Sequence, residues 1–321
     1  IFKLGAVVRP VDLLGEWHWL LSPVSLGVLG LLIGSFLNVV IHRQPVLLER
    51  GWLHDAAQYL QDGSAMQRVL GAGSPRLSEL ARTGQALETD LNALPAMSLA
   101  RPRSRCPHCG HLIAWYENIP VLSWLWLRRR CSACKAPISW RYPLVELLTG
   151  GLFFAVAARF GPTATSAVLC VAVALIVAAA LIDLDTTLLP DDLTLPLIGL
   201  GLLAAWQHWL PISLEQSALG ALFGYFSLWA VAWLYRVIRG AQGMAEGDFK
   251  LLAGLGALLG WQLLPAIILL SSIVGAAVGI FLIAARGHGR SVPIPFGPYL
   301  AGGGLAAVFF GGELLRLWGL G

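Results

Sequence analysis

Two acidic clusters and two cysteine pairs are the residues in this chain whose types and spacing could do chemistry. ALIDLDTTLLPDDLTLP, residues 180–196, sets Asp183, Asp185, Asp191 and Asp192 at the end of a long apolar run, and GMAEGDFKLLAGLGALLG, residues 243–260, sets Glu246 and Asp248 before a Gly-rich one. Ionisable groups at membrane depth are costly and usually functional. If Asp183 and Asp248 meet, they cannot comfortably both ionise: one keeps a proton while the other acts as base on a shared water, as in an aspartic protease. Each acid also has a structural use. Asp191 and Asp192 follow Pro190, where a helix N-cap belongs, and Asp185 reads as a solvated interfacial charge. Asp248 can equally cap its own helix, and Asp183 can equally pair with Lys250 or Arg236. On residue chemistry alone the catalytic and structural readings both stand open.

CPHCG at 106–110 and CSACK at 131–135 place Cys106, Cys109, Cys131 and Cys134 in two C-x2-C pairs separated by 21 residues. This is close to zinc-ribbon spacing, in which two knuckle turns supply four thiolates. With all four corners taken by protein, no position is left for a catalytic water, so the expected metal is structural zinc. Disulfides are disfavoured in a reducing cytoplasm, and dithiol redox chemistry is the remaining alternative. His108 and His111 read as surface residues, and Cys170, inside an apolar run, as a small buried hydrophobe.

The elements that must position these groups are membrane helices. The chain is 57% hydrophobic and 12% charged, with a mean hydropathy of +0.71, which is far from a soluble domain. Runs able to cross a roughly 30 Å hydrocarbon core fall at 20–42, 143–160, 164–183, 193–211, 217–235, 264–285 and 296–315, with a shorter eighth at 249–263. The opening IFKLGAVVRP lacks a basic n-region and a small-residue cleavage site, so no cleavable signal is expected there, and the missing initiator Met suggests a trimmed start. Basic loops stay cytoplasmic. With the N-terminus outside, the 13 basic residues of 43–142 fall inside, together with Arg236, Arg239, Lys250, Arg286 and Arg290. Only Lys3, Arg9, Arg159 and Arg316 fall outside. Asp183 and Asp248 then both lie at the cytoplasmic face. The net charge of +4 reflects this topology, and nucleic-acid binding is a poor reading of it.

The expected fold is therefore an all-α polytopic membrane protein of about eight transmembrane helices with a small cytoplasmic zinc-ribbon-like segment. Residues 1–19 form a non-cytoplasmic segment, 20–42 the first transmembrane helix, 43–142 a cytoplasmic zinc-binding domain and 143–321 a seven-helix membrane domain. Within 44–104, VLLERGWLHDAAQYLQDG reads as helical and GAGSPR as loose, without a catalytic pattern.

Several strings in order resemble the bacterial type IV prepilin leader peptidases, a family of GxGD-type intramembrane aspartyl proteases. They are GSFLNVVIHR at 34–43, the paired C-x2-C motifs, YENIP at 116–120, RYPLVE at 141–146, LIDLDTTLLPDDLTLP, GDFKLLAGLGA and PIPFGPYLA at 293–301. The resemblance implies that Asp183 and Asp248 are the catalytic aspartates and that 143–321 is the peptidase domain. It implies removal of a short basic leader from type IV prepilins and type II secretion pseudopilins, by a cut after Gly at the cytoplasmic face of the inner membrane. It also implies, for many members, methylation of the new N-terminal amine with S-adenosylmethionine, which would associate 43–142 with methyl transfer. The chain has no Rossmann glycine fingerprint for that cofactor, so methylation rests on the resemblance, and a peptidase without it is the alternative.

Two positions depart from the family pattern. Ala245 stands where the second motif has Gly, and Arg129 stands where Gly often precedes the basic residue before the third cysteine. Ser35 and Asn38 read as interhelical hydrogen-bonding groups, and Gly275 and Gly279 as a close-packing face. Glu117 and Glu146 serve either the methyl transfer, the substrate amine or nearby arginines. Two functions of other classes compete. A proton-coupled transporter calls for internal repeats and acids at the midplane, whereas these acids lie at one face. A non-catalytic zinc scaffold leaves Asp183 and Asp248 without purpose.

Overall fold

A segment in lipid must satisfy its own backbone polar groups, which a helix does and a lone strand cannot, and the long apolar runs of this chain are helical accordingly. The computed structural model describes residues 19–71, 73–241, 243–286 and 294–317; the N-terminal segment expected outside the membrane, up to residue 18, lies outside them. The helices run in the order α1 (Pro23–Gln61), α2 (Gly63–Leu70), α3 (Leu77–Ala93), α4 (Leu122–Trp126), α5 (Arg141–Phe160), α6 (Ala164–Thr186), α7 (Asp191–Trp206), α8 (Leu214–Arg239), α9 (Glu246–Leu259), α10 (Leu264–Arg286) and α11 (Gly297–Leu317). Among the described residues there is no β-strand, only isolated bridges between Arg105 and Leu112 and between Arg130 and Pro137.

Six helices, α1, α5, α6, α8, α10 and α11, are long and apolar enough to cross a membrane, and the chain is a multi-pass membrane protein. The runs expected at 193–211 and 249–263 form shorter helices. α7 has 16 residues and α9 has 14, about 24 and 21 Å at a 1.5 Å rise. α7 closes early because Gln207, His208 and Trp209 turn back onto the carbonyls of Leu203, Ala205 and Ala204. The first helix, expected over 20–42, continues as a 39-residue helix through Pro45, which costs it one backbone hydrogen bond.

The chain forms two compact units. In the smaller, Val39–Ala114, Arg43 donates from its guanidinium to the carbonyls of Ser98, Leu99 and Pro102. Asp62 caps α2 through the amides of Ser64 and Ala65. Gln61 donates to Glu88 at 2.7 Å.

The larger unit, Ile1–Asn38 with Trp115–Gly321, is built around α9. Residues 251–258 are buried all round that helix, as befits a helix apolar on every face, and it packs against α7, α8 and α11. Small residues permit the close crossings: Gly220 of α8 lies against Gly256, and Gly201 of α7 against Ala257. Gly275 and Gly279 of α10 pack on Tyr299 and Ile294, the close-packing role expected of them. Asn38 donates to the Tyr142 carbonyl at 3.2 Å and Ser35 hydrogen-bonds the Glu146 carboxylate. Ser35 and Asn38 thus both bond across to α5, the interhelical role expected of them.

Candidate active site

Asp183 lies one turn from the end of α6. The helix stops because Thr187 takes a left-handed conformation (φ 55°, ψ 25°) and its amide closes on the Asp183 carbonyl at 2.8 Å. The Asp183 side chain, 4% exposed, accepts the Gly297 amide on Oδ2 at 2.8 Å. That amide is one of the unpaired donors at the start of a helix, here α11. Asp248 sits in the first turn of α9, 5% exposed, and its Oδ1 has no hydrogen-bond partner among the described residues.

Leu189 ties the two carboxylates together. It stands in the short link between α6 and α7. A Cβ added at Gly247, the neighbour of Asp248, would meet the Leu189 Cβ at 2.4 Å, and one added at Gly297 would meet Asp183 Oδ2 at 2.6 Å and Leu189 Cδ1 at 3.2 Å. Both glycines are therefore held by close approach to one leucine: Gly247 is the chain neighbour of Asp248, and Gly297 meets the Asp183 carboxylate. Asp248 lies outside the six candidate spans. Burial first, and the charge of Asp183 second, push its carboxyl up to about 7. The electrostatic effect of one acid on the other marks them as neighbours.

Asp185 and Asp191 of the first cluster are engaged elsewhere. Asp191 is not an N-cap: Pro190 holds that position, without a side-chain cap, and the Asp191 carboxylate receives Lys250 Nζ at 2.7 Å. Lys250 is thereby drawn to Asp191, and Asp183 pairs with neither it nor Arg236. Asp185 receives the Arg141 guanidinium through both oxygens, the longer contact at 2.8 Å. Glu146, buried in α5, accepts the Val121 amide at 2.8 Å rather than an arginine. Ala245 has φ −83° and ψ 150°, an extended conformation open to any residue, so Ala in place of the family Gly costs the backbone nothing at this position. Arg129 has φ 64°, the left-handed region that favours Gly.

Each cysteine pair forms a knuckle. The Gly110 amide bonds the Cys106 carbonyl and the Lys135 amide bonds the Cys131 carbonyl, at 2.9 and 3.1 Å. The first knuckle lies in the smaller unit and the second in the larger, and four thiolates are the donor set that suits a structural zinc. Cys170 is buried in α6.

Gly297 escaped the sequence reading, which assigned no chemistry to GPYLAGGG. Its contribution is a backbone amide, which no residue type announces; the pointer was a Gly at a helix start next to Pro298. Leu189 was equally silent, as one apolar residue among many.

Comparisons with known proteins give the family of the chain. A family model described as "Type IV leader peptidase family" matches residues 168–280, and one described as "Bacterial Peptidase A24 N-terminal domain" matches 28–160. A protein of Aeromonas hydrophila named "Prepilin leader peptidase/N-methyltransferase" is 47% identical over 287 residues, 89% of this chain and 90% of its own. Proteins of the same name from Pseudomonas aeruginosa and Burkholderia pseudomallei (strain 1026b) are 44% and 42% identical, covering 91% of this chain and 91% and 86% of their own. No solved structure matches. On both the family model and these relatives, the chain belongs to the type IV leader peptidase family.

Proposed function

We propose that this chain is a prepilin leader peptidase and N-methyltransferase of the bacterial inner membrane, with Asp183 and Asp248 as its catalytic pair. The observation that supports the reading is the arrangement around Leu189: two buried carboxylates on helices distant in sequence, each next to a glycine that packs closely on that leucine. The names of the relatives supply the substrate class and both activities.

The two acids have different surroundings and hence different roles. The Gly297 amide donates to Asp183 Oδ2 and holds that carboxylate in place; in this reading Asp183 is the base. Asp248, buried and raised towards neutrality, is the proton-bearing acid. Asp183 takes a proton from water as the water oxygen attacks the scissile carbonyl carbon. Asp248 gives its proton to the carbonyl oxygen. Collapse of the tetrahedral intermediate breaks the C–N bond: the proton held by Asp183 passes to the leaving amine, and one hydroxyl proton of the intermediate returns to Asp248. The substrate must be unwound at the cut, because helical backbone is closed to the nucleophile. The cut falls after Gly at the cytoplasmic face of the substrate's hydrophobic helix, in type IV prepilins and in type II secretion pseudopilins. The new N-terminal amine is then methylated, with S-adenosylmethionine as the donor.

Cys106, Cys109, Cys131 and Cys134 would hold a structural zinc. Bound there, the metal would cross-link the two knuckles and leave the hydrolysis to the aspartates.

Incubating the purified full chain with a prepilin and S-adenosylmethionine, and weighing the products by mass spectrometry, tests both activities. The expected product is a mature pilin without its leader and one methyl group heavier. Complete cleavage without the added methyl would leave a peptidase only, and no cleavage by folded protein would overturn the reading.

A further inference from the structure

The segment between the two halves of the sequence, residues 115–130, has an apolar face that the larger unit does not cover. In α4, Leu122, Leu125 and Trp126 follow the helical spacing of three and four and share one side; they are 63%, 58% and 84% exposed, and Trp115 just upstream is 78% exposed. The other side of α4 is fastened down: Trp124 is buried against Trp140, with ring centroids 4.2 Å apart. The exposed face is therefore turned outward by the packing of its own helix.

Its depth can be read from its anchor. Pro120, Val121 and Leu122 make a γ-turn of the rare, strained hand, with Val121 at φ 61°, ψ −49° and the Leu122 amide on the Pro120 carbonyl. The Val121 amide donates to Glu146. Glu146 is five residues along α5 from Arg141, whose guanidinium meets Asp185 near the end of α6. At the α-helical rise that is about 7 Å further along the span than this charged pair. α5 is itself a candidate span, and Leu144 and Leu147 on it are 65% and 54% exposed. The chain then returns towards the charged level: Arg129 stands over the Trp140 ring at 5.4 Å, and positive φ at Arg128 and Arg129 turns the basic run away from α4.

We propose that residues 115–130 form an interfacial anchor that lies in one leaflet and recognises anionic phospholipid. Trp115, Leu122, Leu125 and Trp126 enter the boundary between headgroups and acyl chains, where amphipathic aromatic rings accumulate. Arg128 and Arg130 meet the phosphates above them. The Glu146 carboxylate fixes the depth by holding the γ-turn. This anchor rests on the membrane architecture alone and stands whether or not the aspartate pair cleaves prepilin.

The test uses the full chain in lipid nanodiscs. The emission of Trp126, taken as the difference between the parent and Trp126→Phe, should be quenched strongly by lipids brominated on the upper acyl carbons and weakly by aqueous acrylamide. Strong acrylamide quenching with no effect of the brominated lipids overturns the proposal. In native mass spectrometry the parent should retain phosphatidylglycerol over phosphatidylcholine, and the double variant Arg128→Gln, Arg130→Gln should retain several-fold less. Unchanged retention in the double variant overturns the anionic preference. Loss of methyl transfer alongside that unchanged retention would assign the arginines to the methyl donor instead. All of these side chains are exposed, so the variants should fold, which circular dichroism checks.

Discussion

A Cβ at position 247 would stand 2.4 Å from the Leu189 Cβ, whereas position 245 has the extended backbone of any residue. The two places in AEGD where small residues stand are thus unequal. Gly247→Ala should slow leader cleavage by about 10²-fold through displacement of Asp248, while Ala245→Gly should leave the rate within about twofold by the same argument; steady-state rates on a prepilin check both. The environment of Asp248 gives a second prediction. Its folded value near 7 stands above the roughly 3.9 of an unfolded carboxylate. The stability linked to its protonation is therefore full below about pH 4 and is lost as pH rises through about 7. Asp248→Asn, which cannot ionise, should melt at a higher temperature than the parent in detergent at about pH 8, and the gain should fade towards about pH 4. Residue types made the acids and cysteines legible. They did not disclose that Asp191 would be taken by Lys250, because that partner lies 59 positions away and local capping preference cannot see it. Nor could they show Gly297, whose donor is common to every residue but proline.

At the scale of elements, long apolar runs announced their helices, and the places where they failed to do so have local causes. The first helix passes through Pro45 into a polar stretch; hydropathy marks the end of a membrane run, and here the helix outlasts it. The γ-turn at Val121 was unreadable for the opposite reason, since a β-branched residue is among the least expected at positive φ. It persists because Glu146 holds its amide. Glu146→Ala leaves the Val121 amide without its buried acceptor, a cost of about 1–3 kcal/mol. Hydrogen exchange at residues 119–126 should accelerate accordingly, and Glu146→Gln, which keeps an acceptor oxygen, should restore much of the protection. The two knuckles make a third element-scale prediction. Elemental analysis of protein purified without chelator should find one zinc per chain, by the four-thiolate count. Cys131→Ser should lower that content and increase protease sensitivity between the knuckles, with Asp183 and Asp248 still in place.

At the scale of the molecule, composition and hydropathy were sufficient for the class: an all-α, multi-pass membrane protein. They could not show that α9, only 14 residues long, is the buried centre around which α7, α8 and α11 assemble, because an apolar run reads alike whether lipid or protein surrounds it. That position explains how an acid at its first turn is kept from water. Burial on every side of the helix orders its first turn, and the α6–α7 link brings Leu189 against it. The claim that joins these scales is that Asp183 and Asp248 act as one proton-sharing unit. It is tested most directly by the rate of leader removal from a prepilin by purified Asp183→Asn, Asp248→Asn and the double variant, with membrane insertion and melting behaviour measured on the same samples. Each single variant should lose cleavage as completely as the double, because neither carboxylate works without the other, and all should remain folded. A folded Asp183→Asn or Asp248→Asn protein that removes the leader at near the parent rate would contradict the account.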